Sequence, residues 1–239
     1  MELQKSLTLC AVAVLGLATA AQAATIVSSV DNSSSKIAFD NTYPLVGAAM
    51  FAMSGQSPPV VAATYDGIAF SLYPENNGTN QFTMAGGVYA QVTDGREFAY
   101  RTNVNGADQY RIMATNDSNM PVRLRFYGLD PNETYQFQFG YYKSSAMYNQ
   151  NAWLAPEADG LPDYGHLGNA QAQYLDYGTA GHEYALLTAT VSGTDEFSLQ
   201  MERGNQSMNA FSVHQVPEPA TLALLGLGGL GMLIGRRRK

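Results

Sequence analysis

The chain has 239 residues, of which 13 are lysine or arginine and 20 are aspartate or glutamate, so its formal net charge at pH 7 is −7. Residues 24–215 alone hold eight basic and eighteen acidic side chains, a net charge of −10. Nucleic-acid binding requires a basic surface for the phosphates, so this composition argues against DNA or RNA as a partner.

The N-terminus has the three parts of a secretory signal peptide. A short polar start with one lysine is followed by the apolar run LTLCAVAVLGLA, which is short for a membrane span. Ala21 and Ala23 then occupy the two positions that signal peptidase reads. We therefore expect residues 1–23 to form a signal helix that is cleaved after Ala23. Cys10, the only cysteine, would leave with it, which excludes disulfides and cysteine metal sites from the exported chain.

Residues 24–215 alternate apolar and polar side chains as β-strands do. In PVRLRFYG, Val122, Leu124 and Phe126 face one way while Arg123 and Arg125 face the other. TYQFQFG alternates in the same way, and GLDPNE between the two segments has turn composition. The pattern predicts a β-hairpin over residues 121–140 with one buried face. Period two recurs in further segments: Ile68–Leu72, Val88–Val92, Ala185–Val191, Phe197–Met201 and Phe211–Val213.

These patterns predict an all-β fold, an antiparallel β-sandwich of about ten to twelve strands with the size of a jelly roll. The Gly128-Leu129 strand end, the Pro-Asn turn, the Tyr135 strand and the paired strands near 183–202 resemble galactose-binding-like sandwiches. Gly128 to Pro131 with Tyr135 also resembles fibronectin type III domains, in which a tyrosine packs the corner between sheets. That family is the alternative architecture.

Residues 143–172 are the least strand-like part of the domain, and we predict a long loop there, across one end of the sandwich. Trp153, Tyr148 and Tyr164 lie in it among asparagine and glutamine neighbours. Aromatic rings stack on sugar rings and amides bond hydroxyl groups, so these three residues are candidate ligand-binding positions. The alternative interpretation is that they are ordinary core or strand-surface residues.

The same segment contains Glu157, Asp159 and Asp163, which are candidate oxygen ligands for a structural calcium ion. The spacing of an EF-hand is absent, and a structural turn is the favoured interpretation. We therefore expect no cofactor and no metal site.

The three histidines, His166, His182 and His214, include no pair at i and i+4. We expect them at surface or turn positions, with His214 pointing outward beside the inward residues of the last strand. Because the chain also lacks a nucleophile elbow and a P-loop, the sequence predicts no catalytic residues.

Residues 216–239 form a separate unit. Pro217 and Pro219 bracket Glu218 and hold the backbone extended. Residues 220–235 carry no charge, and as a helix of about 24 Å they would make a short transmembrane span. A basic cluster follows, which the positive-inside rule keeps in the cytoplasm: Arg236, Arg237, Arg238 and Lys239.

This order of parts resembles the PEP-CTERM sorting signal of Gram-negative bacteria. The resemblance implies processing by exosortase, a membrane-embedded transpeptidase-like protease, after export and signal-peptidase cleavage. It also implies a transient anchor in the inner membrane and a final place in the cell envelope or outside the cell, in organisms that make exopolysaccharide.

We therefore expect a non-enzymatic protein that has a structural or carbohydrate-binding role in the surface or exopolysaccharide matrix. The alternative is a secreted glycan-active hydrolase on a jelly-roll scaffold, with the acidic residues 157–163 in its site.

Overall fold

The computed structural model describes residues 24–33, 37–51, 62–73, 81–94, 122–142, 148–156, 171–177, 184–201 and 208–217. These ranges contain one short 3-10 turn, Ala85–Gly87, and thirteen strands: β1 (Thr25–Ser33), β2 (Leu45–Phe51), β3 (Ala63–Tyr65), β4 (Ile68–Tyr73), β5 (Gln81–Thr83), β6 (Tyr89–Asp94), β7 (Val122–Tyr127), β8 (Thr134–Tyr142), β9 (Tyr148–Ala155), β10 (Gln171–Tyr177), β11 (Tyr184–Ser192), β12 (Glu196–Met201) and β13 (Ala210–Val216).

The strands form two sheets. The seven-stranded sheet has the order β1-β11-β8-β13-β2-β4-β3, and the six-stranded sheet has the order β10-β9-β12-β7-β6-β5. The strand pairs are antiparallel except β2 and β4, which run parallel. The predicted all-β sandwich is thereby confirmed. The described ranges contain no helix long and apolar enough to cross a membrane, and the helices predicted over 1–23 and 220–235 lie outside them.

An apolar core rich in phenylalanine lies between the sheets. Phe126 of β7 contacts Phe137 of β8 at a centroid distance of 4.8 Å and Phe211 of β13 at 5.3 Å. Most of the side chains predicted to face inward are buried in this core, including Val88, Ala90, Val92, Leu124, Tyr135, Phe139, Ala185, Leu187, Ala189, Val191, Phe197, Leu199, Met201 and Val213. Period-two alternation therefore identified the buried face of these strands correctly.

The hairpin predicted over residues 121–140 is wrong. β7 pairs with β6 and β12 in one sheet, whereas β8 pairs with β11 and β13 in the other. The connection between them crosses the sandwich, and Gly128 allows this turn because its φ of +73° is unfavourable for other residues. Alternation shows which side of a strand is buried but not which strand lies beside it. Two strands that face each other across a core have the same pattern as two strands that pair in one sheet.

Tyr135 closes this crossing. Its hydroxyl accepts a hydrogen bond from the backbone N–H of Asp130 at 3.1 Å, and its ring is buried. The tyrosine thus packs the corner between the sheets, as its resemblance to fibronectin type III domains implied. The two sheets, with thirteen described strands, are larger than the seven-stranded sandwich of that alternative architecture.

The long loop predicted over residues 143–172 is partly wrong, because β9 lies within it and β10 begins at its end. The two strands pair with each other, and β9 also pairs with β12. The segment YNQNAWLA of β9 is rich in amides, which are uncommon in strands, so its composition concealed the strand.

The seven-stranded sheet also has a buried outer face. Residues 37–44, here called the cover segment, lie on that face, where Ile37 and Phe39 join a second apolar cluster with Met50, Ile68 and Phe70. Of the predicted inward set on β4, Ile68 and Phe70 are therefore buried on the outer face, and Leu72 is 38% exposed.

Polar contacts fix the cover segment in place. The Gln138 side chain accepts a hydrogen bond from the Asp40 N–H and donates one to the Asp40 carbonyl, both at 2.7 Å. The Phe39 N–H donates to Asp66 Oδ2 at 3.1 Å. Gly140 lies directly beneath, where an added Cβ would come within 2.9 Å of both Ile37 and Phe39. Hydrogen bonds and apolar contacts therefore hold the cover segment on the outer face of the seven-stranded sheet.

Candidate ligand-binding face

The outer face of the six-stranded sheet is different, because polar and aromatic side chains remain partly exposed there. In antiparallel sheets, directly paired residues project to the same side. The register pairs Tyr89 with Tyr127 and Gln91 with Arg125, on the side opposite the buried Ala90 and Phe126. We call the half-buried residues on this side the aromatic–polar face: Tyr89, Gln91, Arg125, Tyr127 and Trp153.

A stacked pair of tyrosines lies at one end of this face. The rings of Tyr89 and Tyr127 have centroids 5.0 Å apart and are inclined by 20°. Arg125 Nη1 lies 3.5 Å from the Tyr127 hydroxyl, which it can reach as a donor. Each ring therefore covers one face of the other, and the Arg125 guanidinium group places hydrogen-bond donors beside the stacked pair.

A second row of the same face connects three strands. Trp153 of β9 is paired with Gln200 of β12, which is paired in turn with Arg123 of β7. The Arg123 Nε donates to Gln200 Oε1 at 3.0 Å, and the exposed fractions of Arg123 and Gln200 are only 1% and 6%. Trp153 is half-buried and is thus the most exposed of these three residues.

The structure tests the three predicted ligand-binding residues to different extents. Trp153 faces away from the core, because its neighbours Ala152 and Leu154 are fully buried. Tyr148 is the first residue of β9, but its side chain lies outside the description, and Tyr164 lies outside the described residues altogether. The grouping of these three residues therefore stays a prediction.

Sequence reasoning missed the contribution of Tyr89, Gln91 and Tyr127. The signal available was the alternation in YAQVTD and VRLRFY, which places these residues opposite the core side chains. The contact between Tyr89 and Tyr127 joins positions 38 apart in the sequence, and only the pairing of β6 with β7 brings them together.

The prediction for His214 is half right. The residue does face away from Phe211 and Val213, but it is 0% exposed because the cover segment lies over it. Its Nδ1 lies 3.0 Å from the Tyr43 carbonyl oxygen and its Nε2 lies 3.1 Å from Ser212 Oγ. With both ring nitrogens bonded and no solvent access, His214 has a structural role.

The other candidate polar sites are outside the reach of the structure. His166, His182 and the candidate calcium ligands Glu157, Asp159 and Asp163 lie outside the described residues. Within the residues that are described, no group of three or more His, Cys, Asp or Glu side chains could hold a metal ion.

The last strand leads directly to the predicted sorting unit. β13 ends at Val216, which is paired with Thr134, and Pro217 is exposed immediately after it. The remaining predicted residues lie outside the described ranges: Glu218, Pro219, Arg236, Arg237, Arg238 and Lys239, and at the other terminus Ala21 and Ala23.

Comparison with solved structures gives two similarities. The Bacteriophage CBA120 tailspike protein 4 enzymatically active domain is 12% identical, over 53% of this chain and 18% of its own, with a TM-score of 0.27. TmCBM61, solved in complex with beta-1,4-galactotriose, is 8% identical, over 53% of this chain and 88% of its own, with a TM-score of 0.21. At these scores neither similarity supports an argument about fold or function.

Comparison with curated proteins gives no match. Comparison with protein families gives a match at the C-terminus, where residues 215–239 fit the PEP-CTERM protein-sorting motif. That range contains the Pro217-Glu218-Pro219 triplet, the uncharged segment and the basic cluster. The chain therefore carries a PEP-CTERM sorting motif, which marks it as an exported protein that exosortase sorts.

Proposed function

We propose that residues 24–215 form a non-enzymatic protein of the bacterial surface or exopolysaccharide matrix, which binds polysaccharide through the aromatic–polar face. The observation that carries this proposal is the stacked pair Tyr89 and Tyr127 with Arg125 beside it, partly exposed on a sheet face that points away from the core. Signal peptidase and exosortase would be the processing partners, and no cofactor is required.

The chemistry of the face suits a sugar polymer. The C–H faces of sugar rings stack on aromatic rings, while amide and guanidinium groups donate hydrogen bonds to hydroxyl groups. Tyr89 and Trp153 lie on β6 and β9, which are three strand spacings apart, about 14 Å, and their rows are four residues apart along β12, about 13 Å, so the two residues are about 20 Å apart. A ligand that reaches both must contain several sugar units, so a chain suits the face better than a single sugar.

The position of His214 removes one candidate general acid or base. A general acid or base must reach substrate, and His214 is fully buried with both ring nitrogens bonded. The competing hypothesis of a glycan hydrolase requires two carboxyl groups about 5 to 10 Å apart in a groove. Release of reducing ends from the bound polysaccharide would favour the hydrolase.

Affinity electrophoresis of the processed protein in gels that contain the matrix polysaccharide of the producing bacterium tests the binding. We expect Tyr127→Ala and Trp153→Ala each to weaken retardation about tenfold, equivalent to about 1.4 kcal/mol, because each removes a stacking surface. The matched control is Val27→Ala on β1 of the other sheet, where Val27 is 70% exposed. Equal retardation of all variants, or none for the parent protein, would contradict the proposal.

A further inference from the structure

The register of the seven-stranded sheet places both ends of the exported domain in one transverse row. Thr25 of β1 is paired with Ser192, Ser192 is paired with Thr134, and Thr134 is paired with Val216 of β13. Neighbouring strands are about 4.8 Å apart, so three strand spacings put the Cα atoms of Thr25 and Val216 about 14 Å apart. The chain therefore enters β1 and leaves β13 at the same end of the sandwich.

Almost no linker separates this end from the two apolar segments. Only Ala24 lies between the predicted signal-peptide cleavage site and β1, and Pro217 follows β13 directly. At about 3.5 Å per extended residue, the four residue steps from Val216 to Ala220 span at most about 14 Å. Any tether between the domain and either apolar segment is therefore short.

Both apolar segments present their domain-side ends to the same face of the membrane. The signal segment keeps its lysine-bearing start in the cytoplasm, and the C-terminal segment keeps its basic cluster there. We propose that the folded precursor stands on the inner membrane with its Thr25–Val216 end facing the bilayer, held there by its C-terminal segment until exosortase acts. This proposal depends on the sorting part of the proposed function and is independent of polysaccharide binding.

A backbone hydrogen bond joins two turns in the described part of this end. The crossing between β7 and β8 is bonded to the turn between β11 and β12, since the Leu129 N–H donates to the Asp195 carbonyl at 3.1 Å. Asp130, Asp195 and Glu196 also lie here, and the described residues of this end include no lysine or arginine. Anionic side chains provide no attraction to anionic lipid, so the proximity to the membrane comes from the C-terminal tether and ends when it is cut.

The topology also assigns the opposite end. β6 ends and β7 begins there, at the end of the sandwich away from the bilayer. The aromatic–polar face lies along the side of the sandwich, where a tethered precursor could already meet a polymer.

Cysteine labelling in membranes tests this orientation. The full chain with Cys10→Ser is expressed in a host without exosortase, so that the C-terminal tether persists. Thr25→Cys and Asp31→Cys place single thiols at two exposed positions of β1, about 20 Å apart along the strand. A bulky polyethylene-glycol maleimide should label Asp31→Cys fully while labelling of Thr25→Cys is lost, and both should react equally in protein released after Val216.

Two controls distinguish orientation from local effects. Asp195→Cys, on a different turn of the same end, should be protected in the same way because Asp195 is exposed in the domain itself. A Gly-Ser insert of about 20 residues between Val216 and Pro217 has a mean span of about 25 Å and should restore labelling of Thr25→Cys. Equal labelling of Thr25→Cys and Asp31→Cys in the membrane-bound precursor would overturn the proposal, whether or not the released domain binds polysaccharide.

Discussion

The two outer faces of the sandwich differ in how their polar groups are used. On the seven-stranded sheet, Gln138 and His214 are fully buried and bonded to the backbone of the cover segment. On the six-stranded sheet, Tyr89 and Tyr127 stack on each other and remain half-exposed. The first face is therefore a second core with internal partners, whereas the second is mixed: Arg123 and Gln200 are buried and bonded to each other, and the tyrosine pair keeps partly exposed aromatic surface.

Polar residues on the outer face of a sheet can therefore have either a structural role or a ligand-binding role. A polar residue that alternates with core residues is normally assigned to solvent. Here the same alternation leads either to a buried contact or to a partly open surface, depending on whether another segment lies above the strand. A strand face is a candidate for binding when its polar side chains are not covered by another segment of the chain. The residue types on the face do not decide this.

Removal of a ring from the second core should have the largest effect. Phe39→Ala should lower the free energy of unfolding by about 3–5 kcal/mol, because it leaves a cavity beside Phe70, whose ring centroid is 4.9 Å away. Tyr89→Ala on the other face should cost at most about 1 kcal/mol, the value of one cross-strand pair. Urea unfolding of the released domain measures both, and similar losses would remove the distinction between the faces.

Loss of the amide that holds the cover segment should have an intermediate effect. Gln138→Ala leaves the N–H and carbonyl of Asp40 without their partner, which should cost about 1–3 kcal/mol. The matched control is Gln136→Ala, two residues earlier on the same strand, which is half-buried and removes only the longer bond from Gln138 Nε2 to Gln136 Oε1, at 3.4 Å. An equally large loss for Gln136→Ala would show that the bonds to Asp40 are not the cause.

The smallest effect concerns the polar link between the sheets. The Tyr73 hydroxyl accepts a bond from the Val92 N–H at 3.1 Å and donates to the Ala90 carbonyl at 3.3 Å, so Tyr73→Phe should cost about 1 kcal/mol at pH 7. Burial raises the pKa of Tyr73 above its ordinary value, and the hydrogen bond from Val92 only partly offsets this.

The direction of this shift fixes the sign of a pH dependence. Just above pH 10 the Tyr73 proton is released only in the unfolded state. The stabilisation of the folded state by Tyr73 is therefore complete below about pH 10 and declines as the pH rises further. Tyr73→Phe lacks this term, and its deficit in unfolding free energy relative to the parent should shrink at alkaline pH. A deficit that stays constant from neutral to strongly alkaline pH would exclude the mechanism.

Much of the inter-sheet core could be predicted from the sequence, because alternation depends on neighbours along the chain. Leu124, Phe126, Phe137 and Phe139 are buried as their pattern indicated. Their partners could not be predicted, since the crossing after Gly128 depends on which sheet each strand joins. That choice is made by contacts with β11, β12 and β13, more than 40 residues away.

The candidate site was less predictable for the same reason. Trp153 was identified by its residue type but assigned to a loop, because its strand lacks apolar alternation. The burial of His214 depends on a bond to Tyr43, 171 residues away in the sequence. The sorting motif needed no such information, because its parts are contiguous and are read as an extended sequence.

The position of β13 determines when the domain can fold. This strand is the last to be synthesised, yet it lies between β8 and β2 and joins the β1-β11-β8 half of its sheet to the β2-β4-β3 half. Neither half can complete its hydrogen bonding until Val216 has emerged from the translocation channel, since the missing strand belongs in the centre. The seven-stranded sheet can therefore be completed only at the end of translocation, after the other described strands have crossed the membrane.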